Sequence, residues 1–319
     1  MLNVLFTRIL RLVVGVLVCW IVVTLLQQAT QWSISADRIP GARERTDPTT
    51  TELSNTPVHR VAFFDKTTFY PSVEWINQAN QANEPLDRPL SGGVVPHHLL
   101  PSYMIADFFS RLVAQQPTTI ILLGPNHYED GEHAILTSLY AWETPFGLVQ
   151  PNTAYIQSLL DRQIAWQDES TLPKDHSVAG VLPFLQYYLP NATVVPLLLS
   201  GATSDQELRE LAEALSEVEA TWQGQTVVIA AVDFSHYLTS AQAEEKDAVT
   251  LEIMKNYKVD QLFSLNSDYL DSPQSISILL QVMQAWGSTQ MKIFHHTNSG
   301  ELTQNPYAST TSYYSLGFY

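Results

Sequence analysis

The sequence predicts an α/β fold in which a mostly buried mixed sheet is flanked by helices and preceded by one N-terminal transmembrane helix. From Val58 onward, short apolar runs rich in β-branched residues alternate with amphipathic helical patterns. The apolar runs are continuous, as in strands that are covered on both faces. We divide the chain into a membrane anchor or signal segment (1–28), a flexible linker (29–57) and a single α/β domain (58–319).

The N-terminal segment has the composition of a membrane anchor. Leu12 to Leu26 is a charge-free run, preceded by Arg8 and Arg11, and no acidic residue precedes Asp37. Counted from Ile9, the run approaches the lower limit of about 17 residues for a membrane-spanning helix. A cleaved signal peptide is the alternative, but no convincing small-residue cleavage site follows. The positive-inside rule then predicts a single-pass protein of the cell membrane with its main domain extracytoplasmic.

Strands and helices alternate through the first part of the domain. Strands are predicted from short β-rich runs, and helices from apolar residues spaced three or four apart that begin near Pro or Asn. In order, the predicted elements are a strand at 92–95, a helix from Pro101 through Leu112, a strand at 118–123, a strand pair at 134–140 and 143–149, a helix from Asn152 through Leu160, a helix at 177–189 and a strand at 192–199.

The second part of the domain continues the alternation. Between residues 203 and 222, apolar residues recur at helical spacing with acidic residues on the opposite face, and the run at 226–232 is too apolar for an edge strand. In order, the predicted elements are a helix at 203–222, a strand at 226–232, helices at 240–257 and 275–286, and strands at 291–294 and 312–318.

Composition limits the chemistry available to the domain. The 319-residue chain carries 16 Lys and Arg against 32 Asp and Glu, a formal net charge of -16, so nucleic acid is excluded as a partner. Its one cysteine, Cys19, lies in the N-terminal apolar run, which excludes an intramolecular disulfide, a cysteine zinc site and a cysteine nucleophile. Any metal ion must therefore be held by histidines and carboxylates.

Three histidines each follow a predicted strand. His97, His127 and His236 come after the strands at 92–95, 118–123 and 226–232. In open α/β sheets, ligands bind outside the carboxyl ends of the strands, so these side chains are expected to converge on a metal ion or a substrate. His176, just before a predicted helix, is a fourth candidate. Asp233 is interpreted either as a helix cap or as the group that orients His236.

The other histidines receive weaker interpretations. His98 could replace His97, which is preferred because it follows Pro96 at the end of the strand. His295 and His296 also end a strand and are interpreted as ordinary polar residues, whereas His59 and His133 are expected at the surface. HExxH, GxSxG and GxGxxG motifs do not occur in the sequence, which disfavours zincins, α/β-hydrolases and dinucleotide enzymes.

Five motifs occur in order along the domain. They are Gly92-Gly93-Val94-Val95-Pro96-His97, Leu122-Leu123-Gly124-Pro125-Asn126-His127-Tyr128, Thr144-Pro145-Phe146-Gly147, Asp175-His176-Ser177 with Leu182-Pro183-Phe184-Leu185, and Asp233-Phe234-Ser235-His236-Tyr237. In order and spacing they resemble the Memo family, whose bacterial members are called AmmeMemoRadiSam system protein B. The resemblance extends from about Val61 to Tyr319, and its five ordered motifs make it specific.

The resemblance implies a Memo-like domain similar in fold to class III extradiol ring-cleaving dioxygenases, which use non-haem Fe(II) bound by two histidines and a carboxylate. It makes His97 and His127 metal ligands and places His176 in the same pocket. Many Memo proteins have cysteine as the third ligand, where the best match here is Asp271, with Asp268 as a fallback. Two histidines and a carboxylate suit Fe(II) with open positions.

The first motif departs from the family, whose usual Pro-His-Ala-Gly-Tyr is here Pro96-His97-His98-Leu99-Leu100.

The predicted function is an Fe(II)-dependent, redox or oxygen-active enzyme of unknown substrate, in which His176 is acid or base and Asp233 and His236 support it. A non-catalytic extracytoplasmic module that binds a peptide or small ligand is one alternative, and a zinc-dependent hydrolase is another. The expected partners are a small-molecule or peptide ligand and, through the N-terminal helix, the membrane; which protein it binds is unknown.

Overall fold

Residues 57–60, 70–74, 77, 86, 88–221 and 225–319 are described by the computed structural model, with residues 218–221 described in backbone only. The predicted anchor at 1–28 lies outside these residues, as does nearly all of the predicted linker. None of the helices that are described is both long and apolar enough to cross a bilayer. The anchor and the boundary near residue 57 stay predictions.

Eleven strands in the described residues form one sheet, which confirms the predicted mixed α/β fold. The strands join in the order β1-β5-β6-β8-β3-β9-β2-β11-β10, and β4, paired with β8 and β7, lies off this path. Their bounds are β1 Val58–Arg60, β2 Gly92–Val95, β3 Thr119–Pro125, β4 Ile135–Thr137, β5 Ala141–Thr144, β6 Gly147–Pro151, β7 Trp166–Gln167, β8 Thr193–Leu199, β9 Thr226–Ala231, β10 Met291–Asn298 and β11 Ser312–Phe318.

Helices cover both faces of the sheet. Along β3, Ile121 and Leu123 belong to one apolar cluster and Ile120 and Leu122 to the other, because successive side chains of a strand point to opposite faces. The helices are α1 Ser102–Leu112, α2 Thr153–Asp161, α3 His176–Ala179, α4 Leu182–Tyr188, α5 Asp205–Thr221, α6 Ser240–Lys255, α7 Val259–Leu262, α8 Pro273–Ala285 and α9 Ser299–Leu302.

The strands at the centre of the sheet bring one set of loops together. β8, β3, β9 and β2 are parallel neighbours, whereas β11 and β10 continue the sheet in antiparallel pairing. All residues of β2, β3 and β9 are buried. Since these three strands are parallel, the loops after Val95, Pro125 and Ala231 leave the same edge of the sheet.

The predicted strand pair at 134–140 and 143–149 is wrong. β4 instead pairs with β8, and the hairpin forms between the next two strands along the chain, β5 and β6. Thr144 closes that hairpin, because its hydroxyl donates to the carbonyl of Gly147 at 2.7 Å. Gly147 has a φ of 128°, a conformation that favours glycine.

The predicted helix at 177–189 is two helices, α3 and α4, separated at Gly180 and Val181. Pro183 lies in the first turn of α4. Within one continuous helix its ring would collide with the carbonyl four residues earlier and no N–H would be available for the helical hydrogen bond. Pro183 therefore starts a new helix.

His59 is buried, so its predicted surface position is wrong. β1 pairs in parallel with β5, and this places His59 against Trp142, with ring centroids 4.6 Å apart. Its Nε2 lies 2.7 Å from a carboxylate oxygen of Glu169. His133 is exposed, as predicted, and stacks on Trp166 at 4.3 Å.

Candidate metal centre

The loops after three parallel strands bring polar side chains to one edge of the sheet. His97, His127 and Asp233 each come two residues after the last residue of β2, β3 and β9. The backbone N–H of His97 donates to Oδ1 of Asp233 at 3.2 Å, across 136 positions of sequence. The sheet therefore brings His97, His127 and Asp233 to one edge, as expected for residues that follow parallel strands.

His97 is the most buried histidine of the site, with a side chain only 1% exposed. Its Nδ1 lies 3.1 Å from the backbone carbonyl of Ala231, which can only accept, so Nδ1 carries the proton. Its Nε2 is buried without a hydrogen-bond partner. Burial lowers the pKa of His97 to about 4 and outweighs the attraction of Asp233. His97 therefore presents a neutral ring nitrogen that is ready to bind a metal ion.

Asp175 orients His127. One carboxylate oxygen accepts from Nδ1 of His127 at 2.9 Å, and the other accepts from its backbone N–H at 2.8 Å. Asp175 also caps α3 by accepting from the N–H of Ser177. Burial would raise the pKa of Asp175, but the hydrogen bonds and charge of His127 outweigh it and lower the pKa to about 2. The protonated Nδ1 leaves Nε2 of His127 available as a ligand.

His176 lies between the other imidazoles. Its ring stacks on that of His127, with centroids 4.4 Å apart and planes 15° apart, and is 5.0 Å from that of His97. One ring nitrogen from each of these histidines lies within 4.8 Å of the other two. Burial, followed by the nearby His127, lowers the pKa of His176. The three rings can converge on one ion.

Asp271 faces the same point from the loop before α8. Its Oδ2 lies 3.4 Å from Nε2 of His97 and 3.9 Å from Nε2 of His127. The Asp271 N–H donates to the carbonyl of Asp233 at 3.2 Å, which ties the two loops together. Burial, and then the negative charge of Asp233, raise the pKa of Asp271 well above its usual range.

Asp233 lies at the centre of the site and is fully buried. Its Oδ2 is 3.5 Å from Nε2 of His97 and 2.6 Å from Nδ1 of His98. Burial would raise its pKa, but the two imidazoles outweigh burial and hold the pKa well below its usual range. His236 lies further out: its Nδ1 donates to the carbonyl of Phe234 at 2.6 Å, and its ring is 6.4 Å from that of His98.

The remaining candidates lie apart from these groups. His295 pairs with Asp107 at 2.9 Å and His296 with Asp247 at 3.2 Å. Asp268 is partly exposed, and its backbone N–H donates to the side chain of Asn266. Among the described residues, both groups of side chains that could hold a metal ion include His97.

Nitrogen and oxygen donors of this kind fit a divalent transition metal. Nε2 of His97 and Oδ1 of Asp271 are both buried without a hydrogen-bond partner. Two or three imidazoles with a carboxylate suit iron or zinc. His97 and His127 would hold the ion, and either Asp271 or His176 stands where a third ligand is needed. The sequence identified all four, but it gave no role to Asp175 and did not show that His98 pairs with Asp233.

The family model and the sequence relatives agree on one family. A MEMO1 family protein of Caldivirga maquilingensis is 29% identical over 214 residues, 64% of this chain and 73% of its own. One of Pyrobaculum aerophilum is 28% identical over 237 residues, 72% of this chain and 83% of its own. An uncharacterized Escherichia coli K12 protein of known structure is 14% identical with a TM-score of 0.48, covering 72% of this chain and 99% of its own. The family model of the Memo-like proteins matches residues 75–317, and the chain therefore belongs to the Memo-like protein family.

Proposed function

We propose that this protein is a membrane-anchored metalloenzyme that binds one Fe(II) ion through His97, His127 and Asp271 and acts in redox or oxygen chemistry on an unknown substrate. One observation carries the proposal: Nε2 of His97 is buried without a hydrogen-bond partner and lies 3.4 Å from a carboxylate oxygen of Asp271. Such an atom costs free energy unless something binds it. A metal ion meets that need.

The residues around the proposed ligands hold them in place. The Ala231 carbonyl fixes the ring of His97, and Asp175 fixes that of His127. An Fe(II) ion bound there would supply open coordination positions and a redox-active centre. Burial keeps His176 neutral near pH 7, so it can accept a proton from a bound substrate. Asp233 holds the backbone of His97 by accepting from its N–H.

Membrane anchoring belongs to the same proposal. It is supported by the apolar run from Leu12 to Leu26 and by the cations Arg8 and Arg11 that precede it. The pocket would then face the extracytoplasmic side, where a small molecule or peptide could reach it. Fractionation of membranes carrying the full chain, followed by protease treatment from one side, tests the location and orientation.

A zinc-dependent hydrolase is the second candidate, and one observation favours it. His97, His127 and His176 place their ring nitrogens within 4.8 Å of one another, and three histidines with an open fourth position form a zinc site. In that arrangement His176 is a ligand and Asp271 is free to act as a base. The two candidates therefore assign His176 and Asp271 opposite roles.

Elemental analysis of the full chain, purified without oxygen, tests the proposal. We expect about one equivalent of iron in the wild type, its loss in His97→Ala, and its retention in His133→Ala, the matched exposed histidine. Loss in Asp271→Ala but not in His176→Ala supports the iron site; the reverse, with zinc, supports the hydrolase. A folded wild type that binds no metal contradicts both and favours a non-catalytic binding module.

A further inference from the structure

Asp247 is a buried carboxylate that the proposed function does not use. It lies on α6, and only 1% of the residue is exposed. One oxygen accepts from the hydroxyl of Ser235 and, at 3.3 Å, from its backbone N–H. The other accepts from the hydroxyl of Ser312 and lies 3.2 Å from Nε2 of His296. These hydrogen bonds offset the cost of burying the charge, and they join the loop after β9, β10 and β11 to α6.

One of these segments, the loop of residues 233–236, enters the candidate metal centre. Its backbone pairs with β11, because the N–H of Phe234 donates to the carbonyl of Ser312 at 2.9 Å and the N–H of Ser312 donates to the carbonyl of Ser235 at 2.8 Å. Ser235 is also tied to α6, since both its hydroxyl and its N–H reach Asp247. The loop is therefore held in place by two other elements of the fold.

The start of the same loop holds the carboxylate that is proposed as a ligand. The N–H of Asp233 donates to Oδ2 of Asp271 at 3.3 Å, and this is the oxygen that lies 3.4 Å from Nε2 of His97. In return, the N–H of Asp271 donates to the carbonyl of Asp233 at 3.2 Å. The position of the ligand oxygen therefore depends on the backbone of Asp233, which is only two residues from Ser235.

We propose that Asp247 is a positioning residue of the metal centre. Through Ser235 it fixes the backbone of the 233–236 loop, and through that loop it aims the carboxylate of Asp271 at the ion. The inference rests on the proposed function, in which Asp271 is a ligand. An asparagine at position 247 has a single acceptor oxygen, so its NH2 group would face hydrogen-bond donors on one side. The loop would then shift, and the ion would bind more weakly although every ligand is present.

The affinity of the metal-free full chain for Zn²⁺ tests the inference. Zn²⁺ is the probe because imidazoles can hold it without a carboxylate, so affinities stay measurable in every variant. We expect Asp247→Asn to weaken binding about tenfold. The matched control is Asp107→Asn, because Asp107 is also buried and pairs with another histidine of β10, His295, and we expect it to keep wild-type affinity. Ser235→Ala should weaken binding in the same direction, and it decides the test if Asp247→Asn does not fold.

A double-mutant cycle with Asp271→Asn separates positioning from a general loss of stability. If Asp247 acts through Asp271, then Asp247→Asn should change the affinity by less than about twofold once Asp271 is replaced. A further tenfold loss in that background overturns the inference, as does wild-type affinity in both Asp247→Asn and Ser235→Ala; neither result affects the proposed ligands. Wild-type affinity in Asp271→Asn alone removes Asp271 from the proposed ligands and overturns the inference with it. A folded wild type that binds neither Zn²⁺ nor Fe²⁺ overturns the proposed function as well.

Discussion

Replacement of Asp175 by asparagine should weaken metal binding without removing a ligand. Oδ1 of Asp175 accepts from Nδ1 of His127 and from the N–H of Ser177, and Oδ2 accepts from the N–H of His127. Asparagine has one acceptor oxygen and one NH2 group. With its oxygen towards Nδ1, the NH2 group faces the backbone N–H of His127; turned over, it faces Nδ1 and forces the proton onto Nε2. Either arrangement disturbs the ring that should bind the ion.

The magnitudes follow from the hydrogen bonds and the pKa. Loss of a group that orients a metal-binding histidine costs about 10–100-fold in metal affinity. The pKa of Asp175 is lowered from 3.8 to about 2. At about 1.4 kcal/mol per pKa unit, the carboxylate stabilises the metal-free protein by about 2 kcal/mol at pH 7. A group whose pKa is lowered on folding stabilises the fold at pH values above its pKa in the unfolded chain. The difference in the free energy of unfolding between wild type and Asp175→Asn should therefore shrink as the pH falls from 3.8 towards 2.

Two measurements on Asp175→Asn separate these effects. Titration with Mn²⁺ gives the affinity, and urea unfolding without metal gives the stability. Asp168→Asn is the matched control, because Asp168 also accepts from the backbone and side chains of Ser170 and Thr171 but has no hydrogen bond to a residue of the candidate metal centre. We expect the control to keep wild-type affinity. Unchanged affinity in Asp175→Asn, with a lower stability, would show that Asp175 only caps α3 and refute its orienting role.

Three further predictions concern the scaffold. A Cβ atom on Gly93 would lie 2.3 Å from the ring of Phe108, so Gly93→Ala should lower the free energy of unfolding by about 1–3 kcal/mol in urea; wild-type stability would contradict this close contact. Asp247 is buried and accepts from the Ser312 hydroxyl, so Asp247→Asn should cost about 1–3 kcal/mol in the same assay, and a neutral effect would show that the network is dispensable. Burial would raise the pKa of Asp107, but its hydrogen bonds to His295 and Arg111 outweigh burial and lower the pKa. The contribution of Asp107 to stability should therefore be complete above pH 3.8 and fade below it. The stability gap between wild type and Asp107→Asn should therefore close on acidification, and a gap independent of pH would argue against the ion pairs.

The position of the site could be predicted because it depends on local patterns. Continuous apolar runs mark the buried parallel strands, and His97, His127 and Asp233 follow those runs directly. Parallel strands deliver such residues to one edge of the sheet whatever their order. Asp271 follows no strand, and only the family resemblance suggested it.

Contacts between distant segments could not be predicted in the same way. The short run at 135–137 could pair with any neighbouring strand, and only the folded sheet shows that it pairs with β8. His59 appears polar and close to a linker, yet a parallel pairing with β5 buries it. The ion pair between His98 and Asp233 joins residues far apart in sequence, and no local spacing signals it.

The spread of the candidate ligands along the chain has a consequence for biosynthesis. His97 is tied to Asp233 across 136 positions, and β2, which precedes His97, pairs with β9. A nascent chain that has emerged only as far as β8 has no partner for β2, and it also lacks Asp233 and Asp271. Half-made protein therefore offers no assembled centre to a passing ion. The proposed ion is therefore expected to stabilise the assembled native state through mass action, as any ligand specific to that state does.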